Sequence, residues 1–111
     1  MQTYQRGKLG DFGSSSEEQF ETLARSGDVR IERIVSRGQR SKPDFWYDQT
    51  EDEFVLLVSG AARLMFGDGT VCELRAGDWV NIPAHVRHRV DFTDETACTV
   101  WLAVFSPAAS V

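Results

Sequence analysis

The sequence contains few of the residues that most often mark a functional site. Its 111 residues include two cysteines, two histidines and three prolines. No Cys-x-x-Cys pair or Cys/His zinc spacing is present, and neither is a phosphate-binding glycine loop or a serine nucleophile elbow. The sequence therefore offers poor support for a zinc-finger, P-loop or serine-hydrolase function. Cys72 and Cys98 lie in strand-like runs, and we expect them to be buried thiols.

Long apolar runs and an excess of positive charge are also missing. No segment reaches the ~20 apolar residues that span a bilayer, and Met1 to Gly10 lacks the apolar stretch of a signal peptide. The net charge is −5, whereas a nucleic-acid-binding domain usually has a basic face. A local cluster of basic residues, Arg30 to Lys42, has acids nearby and is interpreted as solvated surface. We expect a cytoplasmic protein that binds neither nucleic acid nor membrane.

The pattern that is present is one of short strands separated by glycine turns. The 41% apolar content supports one domain with a real core. Phe54 to Val58 is continuously apolar, as in a strand buried on both faces, and Gly67-Asp68-Gly69 predicts a hairpin turn. His88, Val90 and Phe92 alternate with polar residues and should share one face. Seven or eight such strands predict a β-sandwich or barrel.

The N-terminal part has a different pattern. Residues 1–15 are polar and rich in glycine and serine, which predicts a flexible arm. Residues 16–26 have helical spacing of apolar residues, a capping-box pattern at Ser16 and Gln19, and a glycine at position 27 that would end a helix. We therefore expect one short N-terminal helix packed outside the barrel.

Two spaced motifs carry a resemblance to a known family. Glu53 is followed by six residues and Gly60, and Gly77 is followed by five residues, Pro83 and then His88. The cupin superfamily shares the patterns G-x5-H-x-H-x(3,4)-E-x6-G and G-x5-P-x-G-x2-H-x3-N, and the sequence resembles a group of small cupins with an altered first motif.

The resemblance implies an all-β, double-stranded β-helix or jelly-roll barrel. It places a single cupin domain at residues 16–106, with motifs at about 38–60 and 77–92 and a tail at 107–111. By the same resemblance, we expect a homodimer. The acid of the first motif and the histidine of the second should meet in the barrel interior, where cupins often share a metal ion.

The sequence departs from the family pattern at several ligand positions. The H-x-H pair aligns with Tyr47 and Gln49, or with Trp46 and Asp48, depending on the spacing. His85 replaces the second-motif glycine, and Phe92 replaces its asparagine.

The candidate metal ligands are Glu53 and His88, with Gln49 or Asp48 adding an oxygen. A mixed nitrogen and oxygen set suits a divalent Fe, Mn, Zn or Ni ion. His85 and Tyr47 are the candidate proton-transfer residues.

Plainer interpretations stay open: Glu53 could pair with Arg87 or Arg89, and His88 could be a core histidine whose hydrogen bonds are satisfied within the protein. Interior positions are expected for Phe54 or Val55 and for Trp101 or Leu102, with Phe66 and Val90. Core packing is expected for the aromatic residues Trp46, Trp79, Trp101 and Phe105.

Three functions follow. The first is a barrel that binds a divalent metal, a small polar molecule, or both, without turnover. The second is a metal-dependent enzyme, of oxygenase, isomerase or lyase type, acting on a small polar metabolite. The third is a metal-free barrel that acts as a dimeric interaction module.

Overall fold

A computed structural model describes residues 3–109, and within that range every regular element is a β-strand. No helix in that range is long and apolar enough to cross a membrane. The eight strands are β1 (Gln19–Ser26), β2 (Val29–Ser36), β3 (Glu51–Ser59), β4 (Ala61–Phe66), β5 (Val71–Arg75), β6 (Trp79–Ile82), β7 (His88–Thr93) and β8 (Thr99–Pro107).

The strands form two antiparallel sheets that pack face to face. One sheet has five strands in the order β1-β2-β8-β3-β6, and the other has three in the order β5-β4-β7. This confirms the predicted all-β jelly-roll class. The core between the sheets is built from apolar side chains, which are Val55, Leu57, Ala62, Leu64, Leu74, Ile82, Trp101, Ala103 and Phe105.

The predicted N-terminal helix is wrong. Residues 19–26 form β1, which pairs antiparallel with β2 across the two-residue turn Gly27-Asp28. An isolated helix of this length is marginal, whereas the edge of β2 offers backbone hydrogen bonds along the whole segment. A bulge between Thr22 and Ala24 explains the misleading spacing of the apolar residues, because the extra residue breaks strict alternation. Part of the predicted arm, Lys8 and Leu9, accepts hydrogen bonds from Arg33. Residues 1–2 and 110–111, at the ends of the predicted arm and tail, lie outside the described residues.

Alternation along β3 and β8 decides which side chains enter the core. Val55 and Trp101 are buried, while Phe54 is 38% exposed on the outer face. Trp79, expected in the core, lies on that outer face and stacks on Phe54 with ring centroids 5.5 Å apart. The pairing register explains this position. Trp79 lies opposite Leu56, and the Leu56 side chain lies on the face of β3 opposite to the one on which Val55 and Leu57 enter the core.

The predicted alternation of β7 holds for only part of the strand. His88 and Val90 face the interior. In the pairing of β7 with β4, Val90 lies opposite Leu64 and Phe92 lies opposite Arg63, so the register shifts between these two pairs. Phe92 consequently packs under the Arg63 guanidinium at 5.5 Å, and Thr93 is the buried residue beside it. The bulge ends the interior stripe after Val90.

Candidate functional site

A cavity of about 250 Å³ opens into the barrel between the two sheets. Its walls are mainly apolar and aromatic, and charged side chains gather at two places along them. The lining residues are Glu18, Phe20, Arg30, Glu32, Ile34, Tyr47, Gln49, Glu53, Val55, Leu64, Ile82, His88, Val90, Trp101 and Phe105.

Glu53 and His88 meet across this cavity. Glu53 comes from β3 in the five-stranded sheet and His88 from the start of β7 in the three-stranded sheet. Their Oε1 and Nε2 atoms lie 3.6 Å apart, and the residues are 8% and 5% exposed. Glu53 does not pair with Arg87 or Arg89, because the guanidinium groups of both arginines lie over the Trp46 ring instead.

The orientation of His88 is fixed from two sides. Its Nδ1 lies 2.9 Å from the carbonyl oxygen of Val86, and since a carbonyl only accepts, Nδ1 is the donor. Tyr47 exchanges backbone hydrogen bonds with His88 and stacks on its ring at a centroid distance of 5.3 Å. Nε2 is thereby directed toward Glu53 and the cavity.

The electrostatics of the site favour a protonated His88 and a protonated Tyr47. Burial lowers the pKa of His88, but the Glu53 carboxylate and the Val86 carbonyl raise it by more, so the net pKa lies above the ordinary value. Burial, followed by the charges of Glu18 and Glu53, raises the pKa of Tyr47. Both rings can therefore donate a proton or a hydrogen bond into the cavity.

The raised pKa of His88 predicts a pH-dependent contribution to stability. The stabilisation should be complete below the unfolded-state pKa of about 6.5 and should disappear as pH rises through the higher folded-state pKa. The difference in free energy of unfolding between wild type and His88→Gln, measured with urea from pH 6 to pH 9, should therefore shrink with increasing pH. A difference that grows over this range would contradict the ion pair.

Of the remaining site candidates, the structure brings Gln49 to the cavity and leaves two outside it. Gln49 is a lining residue. His85 and Asp48 are not among the lining residues: His85 Nδ1 lies 2.7 Å from Asp48 Oδ1, with both side chains more than half exposed. His85 has a φ of 66° at the position where the family pattern has glycine, and its backbone N–H donates to the Gln49 carbonyl. This outer pair holds the turn beside Gln49.

The donor set falls short of a tightly held metal ion. Protein sites for zinc supply at least three ligands from Cys, His, Asp and Glu side chains, whereas the cavity offers two, the His88 imidazole and the Glu53 carboxylate, beside the neutral amide of Gln49. Among residues 3–109, no three His, Cys, Asp or Glu side chains cluster in a way that could hold an ion. The residues present therefore do not fit a resident transition metal.

Glu18, Arg30 and Glu32 also line the cavity, and none of them is among the site residues predicted from the sequence. Arg30 and Glu32 alternate with Ile34 on the inward face of β2, and the pairing of β2 with β8 places this face over the cavity. The interpretation of the basic cluster Arg30 to Lys42 as solvated surface is wrong for Arg33, which is only 7% exposed. The period-2 spacing of Arg30, Glu32 and Ile34 was the available signal.

Comparison with known proteins agrees with this architecture. The family model for the Cupin domain matches residues 33–105. A crystal structure from Ralstonia eutropha JMP134, named a "putative mannose-6-phosphate isomerase", is 44% identical, with a TM-score of 0.89 over 95% of this chain and 100% of that one. No curated protein matches the sequence.

More distant structures share the fold. A cupin superfamily protein from Desulfitobacterium hafniense DCB-2 is 19% identical, with a TM-score of 0.73 over 95% of this chain and 92% of that one. The iron(II) form of HppE is 15% identical, with a TM-score of 0.65 over 78% of this chain and 48% of that one. With the motif residues, the two-sheet barrel and the family match in place, the chain belongs to the cupin family.

Proposed function

We propose that the barrel cavity binds a small molecule that is apolar along most of its length and polar at one end. The observation that carries this proposal is the buried Glu53–His88 pair, whose facing atoms lie 3.6 Å apart at a cavity of about 250 Å³. Burying two ionisable groups is costly, and such groups beside a cavity are typical of binding and catalytic sites. The volume, just below the usual ~300–1,000 Å³ of ligand pockets, suits a small metabolite.

Binding by this cavity needs no metal ion. The Glu53 carboxylate and the side-chain amide oxygen of Gln49 supply acceptors, and His88 and Tyr47 supply donors, so four side chains can fix the polar end of a ligand. The iron of HppE belongs to a protein of which this chain covers less than half. Metal binding by Glu53, His88, Gln49 and Asp48 stays a prediction, weakened by the short donor set and by the outward position of Asp48.

Isomerisation by proton transfer is the second candidate. A proton shift between adjacent carbons requires a base and proton donors. The observation that favours this function is that the Glu53 carboxylate lies beside a histidine and a tyrosine, His88 and Tyr47, that both hold protons. Glu53 would take the proton from the carbon beside the carbonyl and return it to the carbonyl carbon. His88 or Tyr47 would give a proton to the carbonyl oxygen and recover one from the hydroxyl group on the adjacent carbon, which becomes the new carbonyl.

A sugar phosphate is a poor fit to this cavity, despite the name of the Ralstonia protein. A phosphate group needs free cations. Arg30 lines the cavity, but its guanidinium is already bonded to Glu32 and Glu51. The proposed substrate of an isomerase in this fold is therefore an uncharged or cationic carbonyl compound.

A homodimer stays part of the proposal. The outer face of the five-stranded sheet carries Phe54 and Trp79, which are 38% and 62% exposed. An exposed aromatic pair on a sheet face suits a protein–protein contact, and a second copy of the chain would cover both residues.

A pair of cavity variants tests the binding proposal. Val90 lines the cavity, whereas Val58 is half-buried on β3 and is not among the lining residues. Val90→Phe should fill the cavity, and Val58→Phe makes the same change outside it. A panel of small metabolites should raise the melting temperature of wild type and Val58→Phe but not of Val90→Phe. A compound at 100 times its Kd adds about 2.7 kcal/mol.

The same assay separates the remaining functions. Stabilisation should persist after treatment with EDTA, with metal content measured on the same sample. Stabilisation that vanishes with EDTA and returns with a divalent ion would replace this proposal by the metal site. If no compound acts and the protein is dimeric by light scattering, the interaction module is favoured instead.

A further inference from the structure

The charged side chains around the cavity carry a surplus of negative charge. Glu18, Glu32 and Glu53 line it, and Arg30 and His88 are the only lining cations among the described residues. Carboxylates therefore outnumber cations even when His88 is protonated. Walls of low polarity make each of these charges act more strongly on a ligand than it would in water.

The one arginine at the cavity is already occupied by acids. Arg30 Nε donates to Glu32 Oε2 at 2.8 Å, and its Nη1 donates to both carboxylate oxygens of Glu51 at 2.8 and 2.7 Å. Its guanidinium also lies 4.2 Å from the centroid of the Phe105 ring. Recruiting Arg30 for an anionic ligand would break charge-assisted hydrogen bonds, which are among the stronger ones in proteins. The cavity is thus poorly equipped to hold an anion.

Glu53 has unused capacity to accept hydrogen bonds. It is 8% exposed, and among residues 3–109 the charged partner of its carboxylate is His88 Nε2, 3.6 Å away, which is longer than an ordinary hydrogen bond. An ionised carboxylate has about four acceptor positions. The acceptor positions that His88 leaves open can be filled by a donor that arrives with the ligand, and a positively charged donor makes the stronger hydrogen bond.

The apolar walls complete a site for an organic cation. Phe20, Tyr47 and Trp101 line the cavity as well as Phe105. Aromatic faces attract ammonium groups and also accommodate hydrocarbon. The walls would therefore hold both the charged head and the apolar body of one molecule.

From these four observations we propose that the cavity selects a small organic cation, a primary amine with an apolar body, whose ammonium group is received by Glu53. This inference rests on the proposed function, since it names the ligand class of the same cavity. It also gives the carboxylates Glu18 and Glu32 a role, which is to favour entry of positive charge.

Three probes of one shape test the inference: benzylamine, benzyl alcohol and benzoate. Their affinities are measured by ligand-observed NMR at pH 7 and constant ionic strength. Benzylamine should bind about tenfold more tightly than benzyl alcohol, because a charged donor replaces a neutral one, and benzoate should bind most weakly. Equal or tighter binding of the alcohol or of benzoate would overturn the amine assignment and leave the cavity-binding proposal standing. Absence of binding by all three would overturn both.

Charge-neutralising variants locate the effect. Glu53→Gln keeps the side-chain shape, and it should abolish the tenfold preference for benzylamine over benzyl alcohol. Glu18→Gln, at the half-buried Glu18 beside the cavity, should reduce the preference in part and serves if Glu53→Gln folds poorly. Glu73→Gln, on an exposed side chain outside the cavity, makes the same charge change and should leave the preference intact. An unchanged preference in both Glu53→Gln and Glu18→Gln would overturn the inference.

Discussion

Replacing Gly60 with alanine should lower the free energy of unfolding by more than about 3 kcal/mol. Gly60 has a φ of +89°, where an alanine is strained by about 1–2 kcal/mol. An added Cβ would also lie 2.6 Å from the Cα of Thr99 and 2.8 Å from the Cys98 carbonyl oxygen. Both obstacles are backbone atoms at the start of β8, so relief requires the strand to move, and Thr99 is fully buried.

Gly77→Ala is the matched control for that variant. Gly77 is the glycine of the second motif and has a φ of +93°, but an added Cβ would meet nothing within 4 Å. The Gly77→Ala variant should lose only about 1–2 kcal/mol of free energy of unfolding, which is the cost of backbone strain at positive φ. Urea denaturation gives both values, and at about 4 °C per kcal/mol the Gly60 variant should melt at least ~12 °C below wild type. Equal losses in the two variants would show that the contact with Thr99 is unimportant.

Much of the barrel is predictable because its strands are short and separated by glycine turns. The apolar run Phe54 to Val58 lies within β3, and the predicted turn Gly67-Asp68-Gly69 lies between β4 and β5. The helix at 16–26 was wrong because a local pattern of three apolar residues cannot reveal that a neighbouring strand has a free edge. Whether Phe54 or Val55 points inward was also open, since a continuously apolar strand carries no alternation.

The central pair of the site was predictable and its surroundings were not. Glu53 and His88 stand at fixed distances from motif glycines, so their convergence follows from the resemblance. Glu18 and Arg30 reach the cavity only through the position of β2 beside β8, a pairing between segments about 70 residues apart. No local rule encodes such a contact, and charged residues at a strand are ordinarily interpreted as surface.

Replacing His88 alone with leucine should destabilise the fold by about 3–5 kcal/mol, because it leaves the Glu53 carboxylate buried without a cation. Replacing both residues with leucine should recover most of this loss, since two apolar side chains of suitable size pack well in a core of Val55, Leu64 and Ile82. The four proteins of the cycle, compared by urea denaturation at pH 6, should give a coupling energy of at least about 2 kcal/mol.

The exposed pair His85 and Asp48 supplies the control cycle within the same chain. These two side chains also join an imidazole to a carboxylate, at 2.7 Å, but they are 65% and 53% exposed. Solvent screening should reduce their coupling to below about 1 kcal/mol. The strain of placing leucine at the positive φ of His85 enters both the single and the double variant, so it cancels in the coupling energy. A coupling at Glu53–His88 no larger than that at Asp48–His85 would mean that the two buried groups do not act as a pair, and the binding site proposed for the cavity would lose its polar end.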